Sequence, residues 1–168
     1  SGTNRFGLSE PPAKPVGTVR VATYNMLNFF DHADDPSLQG KYDDFGDNPG
    51  PTSEARCAEL AKVIRQLDAD VLALEEVESI EALRWFNTRF LQGMGYDYAA
   101  SEEVGYYRGI EQSVLSRYPI SGIRVWPDAD LSTVVRKGEG WAAAPSGTSE
   151  VTFQRSPLSV DIKMPGGY

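Results

Sequence analysis

Cysteine and histidine are almost missing from this chain: Cys57 and His32 are the only one of each in 168 residues. A single thiol closes no internal disulfide and builds no thiolate metal cluster, and it leaves the compartment open. Long apolar runs are missing as well. Nothing approaches the roughly eighteen consecutive apolar residues of a membrane span, and the first residues are polar where a signal peptide carries its apolar region, so no membrane span is expected. Positive charge is in the minority: 16 Lys and Arg stand against 24 Asp and Glu, a formal charge of −8 at pH 7. That balance disfavours adhesion to phosphate polymers through bulk electrostatics. Binding to nucleic acid has to use a local patch or bound cations. Internal repeats and low-complexity tracts are also absent.

What remains is enough for one domain. At 168 residues and 40% hydrophobic content, the chain can bury a sizeable core. Ser1 stands where an initiator Met would, and Pro11, Pro12, Pro15 and Gly17 precede the first apolar run. Residues 1–17 therefore read as a linker-like segment exposed by processing or cloning, with an upstream signal peptide already removed as one origin. The domain is expected over 18–168. Val19 to Tyr24 and Val71 to Leu74 read as buried strands. Between them, Thr52 or Ser53 caps a helix with apolar positions Ala55, Ala58, Leu60, Ala61, Val63, Ile64 and Leu67. A second helix is expected over Ile80 to Leu91, stopped near Gly93 and Gly95. Short β-type runs follow at Tyr96 to Ala100, Ile110 to Leu115, Ile120 to Trp126 and Leu158 to Ile162, with a tight connection at Arg117-Tyr118-Pro119. The loop from Phe29 to Pro51 carries Asp31, Asp34, Asp35, Asp43, Asp44 and Asp47. A solvated loop is the reading preferred there over a Ca²⁺ site, because the regular alternation and closing glutamate of an EF-hand are absent. Lys137 to Thr148 reads as an exposed loop. The order predicts an α/β layered fold with mixed sheets and helices on the outside.

Two strand ends carry the polar groups of interest. The first run closes on Asn25, and the second delivers Glu75 and Glu76 to a carboxyl end, where open sheets place ligands. A carboxylate at a strand's mouth is the hard oxygen ligand that Mg²⁺ prefers; the same pattern also describes an acid facing solvent. Asn25 donates to a phosphate oxygen or a metal-bound water on one reading, and satisfies turn backbone on the other.

Val19-Arg-Val-Ala-Thr-Tyr-Asn-Met-Leu-Asn28, Ala69-Asp-Val-Leu-Ala-Leu-Glu-Glu-Val77, Gly109-Ile-Glu-Gln-Ser-Val-Leu-Ser-Arg-Tyr-Pro119 and Arg155-Ser-Pro-Leu-Ser-Val-Asp161 together resemble, in wording and order, the endonuclease/exonuclease/phosphatase superfamily, which includes DNase I-like nucleases. Asn28-Phe29-Phe30-Asp31 is similar to its branch of secreted bacterial nuclease-like proteins, which implies an extracellular or periplasmic location. The resemblance implies an α/β/β/α sandwich with mixed sheets, of which this chain supplies roughly the first half. It implies a Mg²⁺-dependent phosphodiesterase, with Mn²⁺ or Ca²⁺ as other ions, acting on a phosphate ester and foremost on nucleic acid. Glu76 then corresponds to the metal-binding glutamate, here preceded by Glu75 where the family usually has glutamine, and Asn25 to the asparagine beside metal and phosphate. Glu111 resembles the acid that orients a catalytic histidine, and Arg108 and Arg155 are candidates to contact phosphate oxygens with their forked donors.

The family's Gly-Asp-x-Asn and Ser-Asp-His motifs have no counterpart in these residues. Gly46-Asp47-Asn48 comes too early in chain order, and His32 lies in the acidic loop, where a surface role is expected. General acid–base catalysis needs a group within hydrogen-bond reach of the moving proton. The 168 residues alone are therefore expected to be inactive or very weak, and to associate with a complementing C-terminal half or with themselves. Two other functions stay open: a phosphoinositide phosphatase or sphingomyelinase-type lipid phosphodiesterase with the same metal centre, and a non-catalytic binding or scaffold module.

Overall fold

A computed structural model of the chain describes residues 10–33, 50–104, 109–129, 131, 153 and 155–167. Arg108, the acidic positions Asp34, Asp35, Asp43, Asp44 and Asp47, and the Lys137 to Thr148 loop lie outside them.

Alternation along the first two strands sets the arrangement of layers. β1 (Val21–Phe29) and β2 (Val71–Val77) run parallel, with Val21 opposite Val71 and Asn25 opposite Glu75. Successive side chains of a strand point to opposite faces. Ala22, Tyr24, Met26, Leu72 and Leu74 join a core cluster with residues of both helices, whereas Val71 belongs to a second cluster with Ala100 and Val114. A parallel pair needs a crossover connection, and α1 (Glu54–Leu67) lies between the two strands in the chain. Ser53 caps it by accepting from the Arg56 N–H, and Asp68 ends it in the left-handed region with its N–H on Ile64 O. Cys57, Leu60, Ala61 and Ile64 recur at helical spacing and form its buried stripe. Burial pushes the Cys57 thiol up to about 11, so it remains a protonated core residue.

α2 (Ile80–Phe90) starts on Ser79, whose hydroxyl accepts from the Ala82 N–H, and buries Ala82, Leu83 and Phe86. β3 (Tyr98–Ser101) and β4 (Glu111–Ser116) complete a mixed sheet in the order β1-β2-β4-β3, with the last two pairings antiparallel. β5 (Ile120–Val125) and β6 (Leu158–Ile162) form a separate antiparallel pair. Their Ile120, Leu158, Val160 and Ile162 pack on the Val71, Ala100 and Val114 cluster. The architecture is thus mixed α/β, with two helices and two sheets among the described residues. Gly122 in β5 lies where the β5–β6 register shifts and has φ +57, a left-handed conformation that favours glycine.

Three strand boundaries differ from the sequence expectation for physical reasons. β1 and β2 run on past Tyr24 and Leu74 to Phe29 and Val77, because register shifts between Asn25 and Phe29 and between Glu75 and Val77 let pairing resume. β3 begins at Tyr98, two positions after Tyr96, which is buried and donates its hydroxyl to Ala69 O at 2.8 Å. Residues 10–17, expected as linker-like, include Lys14, whose ammonium lies 2.9 Å from both carboxylate oxygens of buried Asp70.

Candidate active site

Backbone conformation marks one place in the fold. Four described non-glycine residues have positive φ, and three of them, Leu27 (52°), Asn28 (52°) and Glu76 (63°), sit at the carboxyl ends of β1 and β2. Such conformations cost about 1 kcal/mol or more each and persist where surrounding contacts enforce them. The contacts are specific. The Asn25 side-chain oxygen accepts from the Leu27 N–H at 2.7 Å. Arg56, in the first turn of α1, donates through Nη2 to Met26 O and to Leu27 O, the latter at 2.7 Å.

Glu76 is the bulged residue of β2. Its neighbours Glu75 and Val77 pair with Gln112 and Glu111, and Glu76 itself has no partner in that register. The bulge turns its carboxylate into a nest of donors. Asn28 N–H donates to Oε2 at 3.0 Å and Arg155 Nη2 to Oε1 at 3.2 Å. The Asn25 side chain hydrogen-bonds to the same carboxylate; since its oxygen already serves Leu27, its NH₂ is the donor. Burial by itself would raise the Glu76 pKa, but the Asn25, Asn28 and Arg155 contacts outweigh it and hold the carboxyl below its ordinary range. Glu76 is ionised at neutral pH.

Glu111, at the start of β4, is buried, and its Oε1 accepts from the Val104 N–H at 3.3 Å. Burial is the main cause that lifts its pKa from 4.5 to about 7, and the negative charge of Glu103 adds to it. The Arg155 charge acts on Glu111 as well as on Glu76, lowering both. One arginine thus acts on two buried acids whose pKa values are moved in opposite directions, an arrangement that recurs at catalytic sites.

Of the residues singled out from sequence, Asn25, Glu76, Glu111 and Arg155 belong to one electrostatic neighbourhood, and Arg108 lies outside the described residues. Glu75, opposite Asn25 in the β1–β2 register, accepts from the Thr23 hydroxyl at 2.6 Å. His32 has Nε2 on Thr52 O at 2.8 Å and its ring centroid 5.3 Å from that of Trp85. Asp31, expected in a solvated loop, is instead buried: its N–H donates to buried Glu78 and its Oδ1 accepts from Ala33 N–H. Sequence reasoning missed Arg56, Leu27 and the Asn28 backbone. The nearest signal was the Met26-Leu27-Asn28 run after the strand, too short to disclose a left-handed turn.

Among the described residues no group of three His, Cys, Asp or Glu converges as a ready metal cage. Mg²⁺ does not require one: it takes one or two carboxylates and completes its shell with water and substrate phosphate oxygens. Glu76, hydrogen-bonded and ionised, fits as that carboxylate, with Asn25 holding it in place. Mn²⁺ fits the same donors. Ca²⁺, which takes about six to eight oxygens, is less well served.

No family model, no curated protein and no solved structure matches the chain.

Proposed function

We propose that the chain is the metal-binding portion of a divalent-cation-dependent phosphodiesterase of the endonuclease/exonuclease/phosphatase type, acting on nucleic acid. The observation that carries this reading is the convergence on Glu76: a bulged, buried, ionised carboxylate fixed by Asn25 and Asn28 and paired with Arg155. The superfamily's α/β/β/α layering belongs to the same proposal. Supporting it, the four-stranded sheet has helices on one face and residues of the β5–β6 pair on the other.

In this reading Glu76 is the protein ligand for Mg²⁺ or Mn²⁺, and the bound ion supplies charge neutralisation at the phosphate. Asn25 positions Glu76 and sets its lone pairs, and Arg155 offers a phosphate oxygen its forked donors. Glu111, titrating near neutrality, is placed to hold or hand on a proton at its carboxyl. The sole histidine is occupied with Thr52 and Trp85, so no general-base imidazole is assigned to these residues.

The test is hydrolysis of bis-p-nitrophenyl phosphate and of plasmid DNA with Mg²⁺ or Mn²⁺, measured on residues 1–168 and on the full-length product of the gene. Cation-dependent hydrolysis by the full-length product that Glu76→Ala lowers by about a hundredfold is the expected result. Absence of hydrolysis, or hydrolysis indifferent to Glu76→Ala, overturns the proposal. A preference for phosphocholine or inositol phosphate esters over DNA would move the substrate to a lipid head group.

A further inference from the structure

The Glu76 carboxylate already has a cation. Arg155 comes from a segment 79 residues further along the chain and places Nη2 3.2 Å from Oε1, while the Asn28 N–H holds Oε2. Each oxygen keeps a second lone pair, but an ion seated on Oε1 would stand against the guanidinium charge already 3.2 Å from that oxygen. Both partners are largely withdrawn from water, with side-chain exposures of 10% for Glu76 and 25% for Arg155. A carboxylate this secluded needs a compensating positive charge, because an unpaired one bears the whole desolvation penalty. A tethered guanidinium meets that need, and so does a divalent ion. Two positive charges at one carboxylate oxygen repel each other, so the guanidinium and a divalent ion compete for Oε1. The guanidinium is also suited to a second partner, since its planar fork matches phosphate as well as carboxylate.

Resting on the metal phosphodiesterase reading above, we propose that Arg155 is a built-in competitor for the cation seat on Glu76. It neutralises the seat when no ion is bound. A divalent cation binds Oε1 by displacing the guanidinium, which is then released to an oxygen of the substrate phosphate. Cation and phosphodiester consequently reinforce one another, because a phosphate that engages Arg155 keeps it from returning to Glu76.

The test is calorimetric titration of Mn²⁺ into the chain, a readout independent of turnover. Wild type is compared with Arg155→Gln, Arg155→Met, Arg155→Lys, Arg65→Ala and Glu76→Gln, each checked for cooperative thermal unfolding. Removing the competitor tightens Mn²⁺ binding by about fivefold in Arg155→Gln, because apparent affinity rises with the fraction of the seat that stands open. Arg155→Met, which keeps the apolar stem, gives the same gain and stands in should the Gln variant not fold. Arg155→Lys retains a tethered cation and stays near wild type. Arg65→Ala removes the same charge from the last turn of α1 and does not tighten binding, and Glu76→Gln abolishes it. Dimethyl phosphate tightens Mn²⁺ binding to wild type and not to Arg155→Gln. Equal affinity in wild type and the Arg155 variants, or an equal gain in Arg65→Ala, with binding still lost in Glu76→Gln, overturns the competition and leaves the metal seat standing. An equal effect of dimethyl phosphate on wild type and Arg155→Gln overturns the release to phosphate. No Mn²⁺ binding to any variant overturns the metal reading itself.

Discussion

Asp70 concentrates more charge-assisted hydrogen bonds than any strand-end acid in the site above, and at the opposite end of β2. Both its oxygens lie 2.9 Å from Lys14 Nζ, Arg20 N–H donates at 2.8 Å and Arg117 Nη1 at 3.1 Å, with the side chain 3% exposed. Burial pushes its pKa up, but these donors outweigh burial and leave it lowered. Such a carboxylate stabilises the fold above the ordinary value of 3.8, and that contribution disappears as pH falls through the lower folded value. Asp70→Ala is expected to reduce the unfolding free energy by about 3 kcal/mol in urea titration at pH 7, because Arg117 keeps Asp68 as its one acidic partner beside Met94 O, and Lys14 loses its ion pair. Lys14→Ala has a smaller effect, since that ammonium is about a third exposed and solvent screens it. Nothing in the sequence distinguished Asp70 from other strand-flanking acids. Its partners are 47 to 56 residues away, and no local pattern encodes pairing at that separation. Glu76 and Asn25 were legible for the opposite reason: each ends an apolar run, so its place at a strand mouth follows from its own neighbours.

Strands and helices as units were readable from period and caps. The ends of the strands were not. Short apolar runs account for the strands expected at Val19 to Tyr24 and Val71 to Leu74, but a bulge inserts a residue without changing composition, so the continuation through Glu76 to Val77 carried no signal. The same holds for Leu27, whose positive φ is disfavoured for a leucine with an exposed side chain. That turn is imposed from outside β1, by the first turn of α1. Arg56 holds two consecutive carbonyls, Met26 O and Leu27 O, while Asn25 holds the Leu27 N–H. Replacing Arg56 by Ala removes both carbonyl contacts and is expected to lower stability by about 1–2 kcal/mol. Its local signature is faster amide exchange at Leu27 and Asn28, with the α2 amides unchanged in rate relative to global unfolding. Unchanged exchange at Leu27 would mean that Asn25 alone fixes the turn and that α1 has no part in shaping the site.

Over the whole molecule, the perturbed acids pull the pH dependence of stability in opposite directions. Asp70 and Glu76 have lowered pKa values, so they stabilise the fold above the ordinary carboxylate range and cease to do so as pH falls. Glu111 is the reverse. Its pKa rises from 4.5 to about 7, with burial as the main cause, so the folded state holds a proton that the unfolded chain releases. Between those two values the folded state binds more protons than the unfolded one, and stability falls as pH rises. Above about pH 7 the loss is complete and on the order of 3 kcal/mol. The formal charge of −8 adds self-repulsion on the same side, a contribution that salt screens. Unfolding free energy should therefore peak in the weakly acidic range, near about pH 5, and decline towards pH 8. Glu111→Gln separates the two causes. The amide copies the protonated carboxyl and cannot ionise, so its stability curve should meet that of wild type near the peak and stay above it at pH 8, while the salt-sensitive part of the decline persists in both. If the two curves remain parallel across that range, Glu111 is ionised in the fold well below neutrality. The contrast in protonation between Glu76 and Glu111, on which Glu111's proton-handling role rests, would then be lost.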